Sequence, residues 1–243
     1  MSIVTLLYPA FILAILLVFI HAIFGLEIIK RGVIFTDLAI GQFASIGVAV
    51  SLLFFDGAYS FGLTLIFALM GATLISVATR RVKHIEAFIG MLYALGASGI
   101  IVLLSNTTQG TELFNKLLAT DILFTTTGDL IEPFLLYSLV AILFLKLYHR
   151  LTGLYREMLF FGLLALTVTS SVQLAGVLVV FVLLIVPAFI ALLQNRFSRL
   201  PFAWVVGSSI IIIAMIISYH FDLPTGYTIV FIGSLVGIVL GII

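Results

Sequence analysis

The chain is predicted to be an all-α, polytopic helical membrane protein with 8–9 transmembrane helices, and three observations predict it. Hydrophobic residues make up 63% of its 243 positions and charged residues only 9%, against roughly 45–50% and 25% in soluble domains. Apolar runs of about 20 residues, enough for a helix to cross a hydrocarbon core of about 30 Å, recur along the whole length. Basic residues collect in alternate connections between those runs. A soluble fold of this size has no room to hide so much apolar surface.

The spans are expected at 4–24, 33–54, 60–79, 86–105, 131–147, 158–175, 176–194, 202–218 and 226–243. The first lacks a basic leading region and a small-residue cleavage site, so it reads as a retained span rather than a cleaved signal peptide. The run from Val33 to Phe55 is 23 residues long and holds one charged residue, Asp37. The connection 106–130 starts Asn-Thr-Thr-Gln-Gly and ends Thr-Thr-Thr-Gly-Asp, both turn-forming, around an apolar stretch from Leu113 to Phe124. That stretch suits a half-buried interfacial helix, with a docking surface for an external partner as the alternative. The uncharged run 158–193, 36 residues, is too long for one upright helix. Its polar knot, Thr167, Thr169, Ser170, Ser171 and Gln173, is the natural place to bend, and a re-entrant turn there would leave eight spans. Pro187 should kink the helix that contains it by removing a backbone hydrogen bond. Gly233, Gly237 and Gly241 give the last span a small-residue face for packing within the subunit or for a homodimer interface. No soluble domain, linker or repeat stands out, so residues 1–243 read as one transmembrane domain.

Orientation follows from the short loops. Lys30 and Arg31, then Arg80, Arg81 and Lys83, then Lys146, Arg150 and Arg156, then Arg196 and Arg199 fall in alternate connections. Of the 11 Lys and Arg residues, only Lys116 lies outside that set. The positive-inside rule then puts the N-terminus outside and the C-terminus in the cytoplasm, which agrees with an odd number of spans. A net charge of +1, with no clustered basic face, gives no pull toward nucleic acid.

An ionisable side chain within a membrane span is costly and marks a functional site by default. With Val33 near the inner surface, Asp37 lies about 6 Å into the core and Gln42 about 13 Å. His21 stands at the end of the first span, and Glu27 with the Lys30–Arg31 pair lies just before the second. Gly41 and Ser45 offer a smooth strip for a neighbouring helix. Carboxylate, imidazole and amide together could line a polar route for a hard or borderline divalent cation. Each residue also has a plainer use. Asp37 could pair with Arg31 or Lys30 near the interface. His21 could satisfy a backbone carbonyl, and Gln42 could bond a neighbouring helix. No His or carboxylate pair has the i, i+3 or i, i+4 spacing of a ligand pair. The chain has no cysteine, so any metal would meet nitrogen or oxygen donors.

Catalysis has no support: no GxxxxGK[ST] phosphate loop, HExxH or GxSxG is present. No cofactor is expected on this chain, and it is not expected to be an enzyme. Uphill transport would need energy from a partner or an ion gradient.

Four segments resemble the type 3 permease family of ABC transporters, the membrane subunits of zinc, manganese and iron importers. They are Arg31-Gly-Val-Ile-Phe-Thr-Asp37 running on to Gly47, Glu86-Ala-Phe-Ile-Gly90-Met-Leu-Tyr-Ala-Leu-Gly96, Val172-Gln-Leu-Ala-Gly176 continuing to Pro187-Ala, and Leu223-Pro-Thr-Gly226. The resemblance implies a permease homodimer in the bacterial plasma membrane. It also implies a cytoplasmic ATP-binding subunit that uses the ATP, and an extracellular or periplasmic metal-binding protein. Asp37, Gln42 and His21 are then the candidate translocation-path residues. The position four residues after Asp37, commonly His in that family, is Gly41 here, with Gln42 next. The link from Tyr148 to Met158 is short and carries no recognisable segment for coupling to an ATPase, which leaves the 80–86 and 194–201 loops for that contact or an ATP-independent transporter as the alternative.

Overall fold

In lipid every backbone donor and acceptor must be satisfied within its own segment, and the α-helix does this residue by residue. The computed structural model describes residues 3–105 and 122–242, and among these residues every long apolar run is helical. Nine α-helices follow in chain order among the described residues: α1 Ile3–Arg31, α2 Thr36–Phe55, α3 Ser60–Arg81, α4 Ile85–Leu104, α5 Ile131–Leu147, α6 Gly153–Ala175, α7 Val177–Leu193, α8 Arg199–Phe221 and α9 Thr225–Ile242. Eight helical stretches are long and apolar enough to cross a membrane, and α7, at 17 residues, is shorter. The expected interfacial helix over Leu113–Phe124 falls mostly outside the described residues, with a 3-10 turn at Ile122–Phe124.

Departures from the expected boundaries include those at α1, α2 and α6. α1 runs seven residues beyond 24 because Glu27 pairs with Lys30 (3.1 Å) and Arg31 (4.0 Å) at i, i+3 and i, i+4. Those cations also suit the negative end of the helix. Gly32, with φ +64°, then ends it. α2 starts three residues late, after a turn in which the Thr36 hydroxyl and amide both donate to the Val33 carbonyl, at 2.7 and 3.2 Å. α6 begins at Gly153, five residues early, and carries Arg156 and Glu157 in its first turns.

The polar knot does not bend the chain. Thr167 Oγ1 donates to the Leu163 carbonyl (2.9 Å) and Ser171 Oγ to the Thr167 carbonyl (2.6 Å), so these hydroxyls are satisfied along a continuous helix. The break comes at Gly176, where φ +84° and ψ 157° are open to glycine alone.

The helices sort into two compact units. One comprises residues 1–32, 119–138 and 173–243, and α7 is its core. α7 is apolar all round and buried over most of its surface, with a half-buried stripe at Leu178, Phe181, Ile185, Phe189 and Leu192, and it packs against α1, α8 and α9. On α1, Ala22 and Leu26 meet Ala188 and Ala191 of α7 and Ala203 of α8. Gly207 of α8 leaves room for Pro187, whose Cγ a Cβ there would meet at 2.9 Å. Gly233 and Gly237 of α9 lie against Val182 and Val186, and Gly241 against Phe189. The small-residue face of the last span is therefore used for packing within the subunit. On α8, the Trp204 ring lies tilted against Phe19 of α1 (4.9 Å between centroids) and its indole N–H donates to the Phe19 carbonyl at 3.0 Å.

The other unit comprises residues 33–118 and 139–172, and α2 is its centre, flanked by α3 and α4. Gly71 of α3 lies against the Phe43 ring, Gly96 of α4 against Gln42, and Ala49 of α2 against Ile100 and Leu104. In the same unit the link 148–152 is held by aromatic contacts. Phe144 stacks on Tyr148 (4.5 Å), Phe160 lies 6.1 Å from Tyr148, and the Arg156 guanidinium stands 5.8 Å over the Tyr148 ring.

The closest approach in this unit is at Gly47, where a Cβ would lie 2.5 Å from the Leu63 carbonyl oxygen and 2.6 Å from the Thr64 Cα. Because both obstacles are backbone, Gly47→Val should lower stability by about 1–3 kcal/mol. Gly90→Ala, where a Cβ meets nothing within 4 Å, should change it by less than about 0.5 kcal/mol. Thermal unfolding in detergent compares the two.

Candidate functional site

Asp37 lies in the first turn of α2, where backbone N–H groups have no partners within the helix and the helix dipole favours negative charge. The preceding turn, Gly32 to Phe35, brings the chain into the helix with Asp37 turned inward, 2% exposed. Both carboxyl oxygens are buried, the amides of Asp37 and Leu38 in the first turn are turned toward them, and among the described residues no side chain bonds either oxygen. Lys30 and Arg31, the cations weighed as its ion-pair partners, are bonded instead to Glu27 on their own helix.

Gln42 is also buried, and its Cβ faces α4 at Gly96, where an added Cβ would come within 2.7 Å. Asp37 and Gln42 are five residues apart, so they project about 140° apart around the helix axis. Gly41, four residues after Asp37, is the position on the Asp37 side. Ser45 closes this stretch, its hydroxyl donating to the Gly41 carbonyl at 2.9 Å. Asp37 and Gln42 therefore share a helix and not a face.

His21 belongs to the other unit. It lies inside α1, ten residues before the end of the helix, and not at the end of a span as the hydropathy boundary suggested. It is buried, and Nδ1 donates to the Leu17 carbonyl at 2.8 Å, which makes Nε2 the acceptor of the ring. Among the described residues no three His, Asp or Glu side chains come together as a group able to hold a metal ion.

Sequence reasoning passed over Glu86 as a functional residue. From the first turn of α4 its Oε1 accepts the Ile34 N–H at 2.5 Å, and its Oε2 is buried without a partner. The available signal is its position as an acidic residue opening a span straight after a basic loop, a position it shares with Asp37. Ser76 of α3 and Thr169 of α6 likewise have buried hydroxyls without partners, and a hydroxyl inside an apolar helix carries no signal that separates this from ordinary back-bonding.

Residues 4–243 match the ABC 3 transport family. A manganese transport system membrane protein of Listeria innocua is 28% identical over 251 aligned positions, covering 95% of this chain and 88% of the relative. A "Probable iron transport system membrane protein" of Haemophilus influenzae is 36% identical over 126 residues, which span 49% of this chain and 44% of the relative. Among solved structures, a chain of PsaBC from Streptococcus pneumoniae in complex with a Fab superposes with a TM-score of 0.76 at 23% identity, covering 97% of this chain and 90% of that one. At that identity the likeness is one of fold.

A buried carboxyl without side-chain partners does not serve stability, since burying an uncompensated polar or charged group is costly. Asp37→Asn should therefore leave the protein as stable as the parent or more stable, by up to about 1 kcal/mol. The check is the melting temperature of the two proteins in detergent. A marked loss on substitution would reveal a structural partner for the carboxyl.

Proposed function

The chain belongs to the ABC 3 transport family, and on that premise we propose that it is the membrane-spanning permease subunit of an ATP-dependent ABC importer for divalent metal ions, zinc, manganese or iron. The observation that carries this reading is the family match across residues 4–243, nearly the whole chain. Relatives named for manganese and iron transport support the substrate class. The chain contributes no phosphate-binding loop, so a cytoplasmic ATP-binding subunit supplies the energy. An extracellular or periplasmic metal-binding protein delivers the metal, and two permease subunits pair in the plasma membrane, N-terminus outside and C-terminus in the cytoplasm.

Transport on this reading is alternating access. Metal enters from outside, passes the buried carboxyl of Asp37, and leaves inside when ATP binding and hydrolysis switch the dimer. An oxygen pair without side-chain partners in a low-dielectric setting suits a passing hard cation: it attracts the ion strongly, and a single carboxyl does not encage it. Gly41 beside Asp37 adds no imidazole, which keeps the station weak enough to release its ion.

A second reading, an ATP-independent metal transporter, is favoured by one observation. The connection between α5 and α6 is only residues 148–152, and its Tyr148 packs against Phe144 of α5 and Phe160 of α6, leaving little chain for contact with an ATPase.

Proteoliposome uptake of Mn2+ separates the readings. With a cognate ATPase co-expressed, the two proteins should co-purify and uptake should require ATP. Asp37→Asn should reduce uptake by about tenfold or more, the loss of one charge-assisted contact, while the protein stays in the membrane. Uptake without ATP would favour the second reading, and unchanged uptake in the variant would remove Asp37 from the path.

A further inference from the structure

α2 begins without a side-chain cap: Phe35 stands at its N-cap position and offers no acceptor. The turn before it satisfies the Gly32 amide with the Ile29 carbonyl (3.1 Å) and the Thr36 amide with the Val33 carbonyl. The Ile34 amide goes instead to Glu86 Oε1, a side chain 52 positions further along. A carboxyl on α4 thus holds the turn one residue before the N-cap position of α2, outside the helix's own amides.

The same two helices touch again along their length. Gly96 meets Gln42 and Gly99 meets Ile46, pairs 54 and 53 positions apart. A near-constant offset means that α2 and α4 lie alongside one another in the same direction, with Glu86 level with Ile34. Asp37 then stands about one turn, about 4.5 Å, further along the pair than Glu86. Gly90 of α4 falls near the level of Asp37, and a Cβ there would meet nothing within 4 Å.

We propose that Glu86 is a positioning residue for transport: by accepting the Ile34 N–H it fixes the turn that leads into α2 and so sets where Asp37 stands against α4. This rests on the reading that Asp37 lines the metal path. The role needs an acceptor oxygen at residue 86 and does not need a charge there. Loss of the acceptor frees the turn 32–35, and Asp37, one residue into the helix, loses its fixed place. Movement of α4 during transport is passed directly to the Asp37 end of α2.

The test compares Glu86→Ala, Glu86→Gln and Asp37→Asn in the full chain, by hydrogen exchange over peptides covering residues 32–38 and by Mn2+ uptake. Glu86→Ala should speed exchange in that segment about tenfold, as expected for losing one strong hydrogen bond, and should reduce uptake. Glu86→Gln, which keeps an acceptor oxygen, should restore both. Should Glu86→Ala fail to accumulate, Glu86→Gln decides: parental exchange and uptake support the assignment, and loss of uptake overturns it. Glu86→Ala with parental exchange and uptake also overturns it. If Glu86→Ala loosens the segment while uptake stays parental and still depends on Asp37, the positioning role is overturned and the path stands. If Asp37→Asn leaves uptake unchanged, the path reading fails, and the exchange comparison still reports separately whether Glu86 holds the turn.

Discussion

A carboxyl group held inside an apolar helix bundle has to be compensated or to be in use. Charges buried in proteins are paired or bound to cations, and a membrane interior sharpens the rule because no water is at hand. Asp37 has a position that favours negative charge, the first turn of α2 with its own and the Leu38 amide turned toward it, but among the described residues no side chain bonds either oxygen. The nearest cations in sequence are held by Glu27. What surrounds this carboxyl follows from the need to place it: a turn anchored at Ile34, a helix free to lie close to two neighbours, and small residues wherever backbones approach.

The packing around it depends on missing side chains more than on matching ones. In lipid, helices gain little from hiding apolar surface from each other, so close backbone approach and van der Waals contact decide the arrangement. Gly47, Gly71 and Gly96 serve this purpose around α2. In the other unit Gly25 faces the Leu184 carbonyl and Gly207 faces Pro187. α7 packs closely against three helices because those neighbours supply the gaps. Where a polar group occurs within a span it is returned to its own helix, as with Thr64, Thr167 and Ser171 bonding carbonyls one turn back. The few buried oxygens left over, on Asp37, Glu86, Ser76 and Thr169, stand out against that background.

Much of the fold was legible in the sequence, because hydropathy and length act on each span alone. All nine expected spans are helices, and the boundary placed between 175 and 176 falls at the Gly176 break. The errors share a cause. Charged residues at span ends were read as loop, although Glu27, Lys30 and Arg31 pair with one another along one more turn of helix. Hydroxyl-rich sequence was read as a bend, although a helix can absorb hydroxyls by back-bonding. The site was less legible. A lone acid in an apolar run marks Asp37 directly, whereas the Glu86 to Ile34 bond joins residues 52 positions apart and appears only once α2 and α4 lie side by side. His21 stands inside α1, and not at its end, because the helix continues through Glu27, Lys30 and Arg31. The face relation of Asp37 and Gln42 was implicit in a spacing of five but needed the contact with Gly96 to show where Gln42 points.

The proposed path depends on the Asp37 carboxyl meeting the transported cation. Infrared difference spectroscopy of the purified protein on adding Mn2+ tests this at the group itself. A change in the carboxyl stretching bands that is present in the parent and absent in the variant with Asn at position 37 is the predicted result. The same band change in both proteins, or none in the parent at saturating Mn2+, would contradict it.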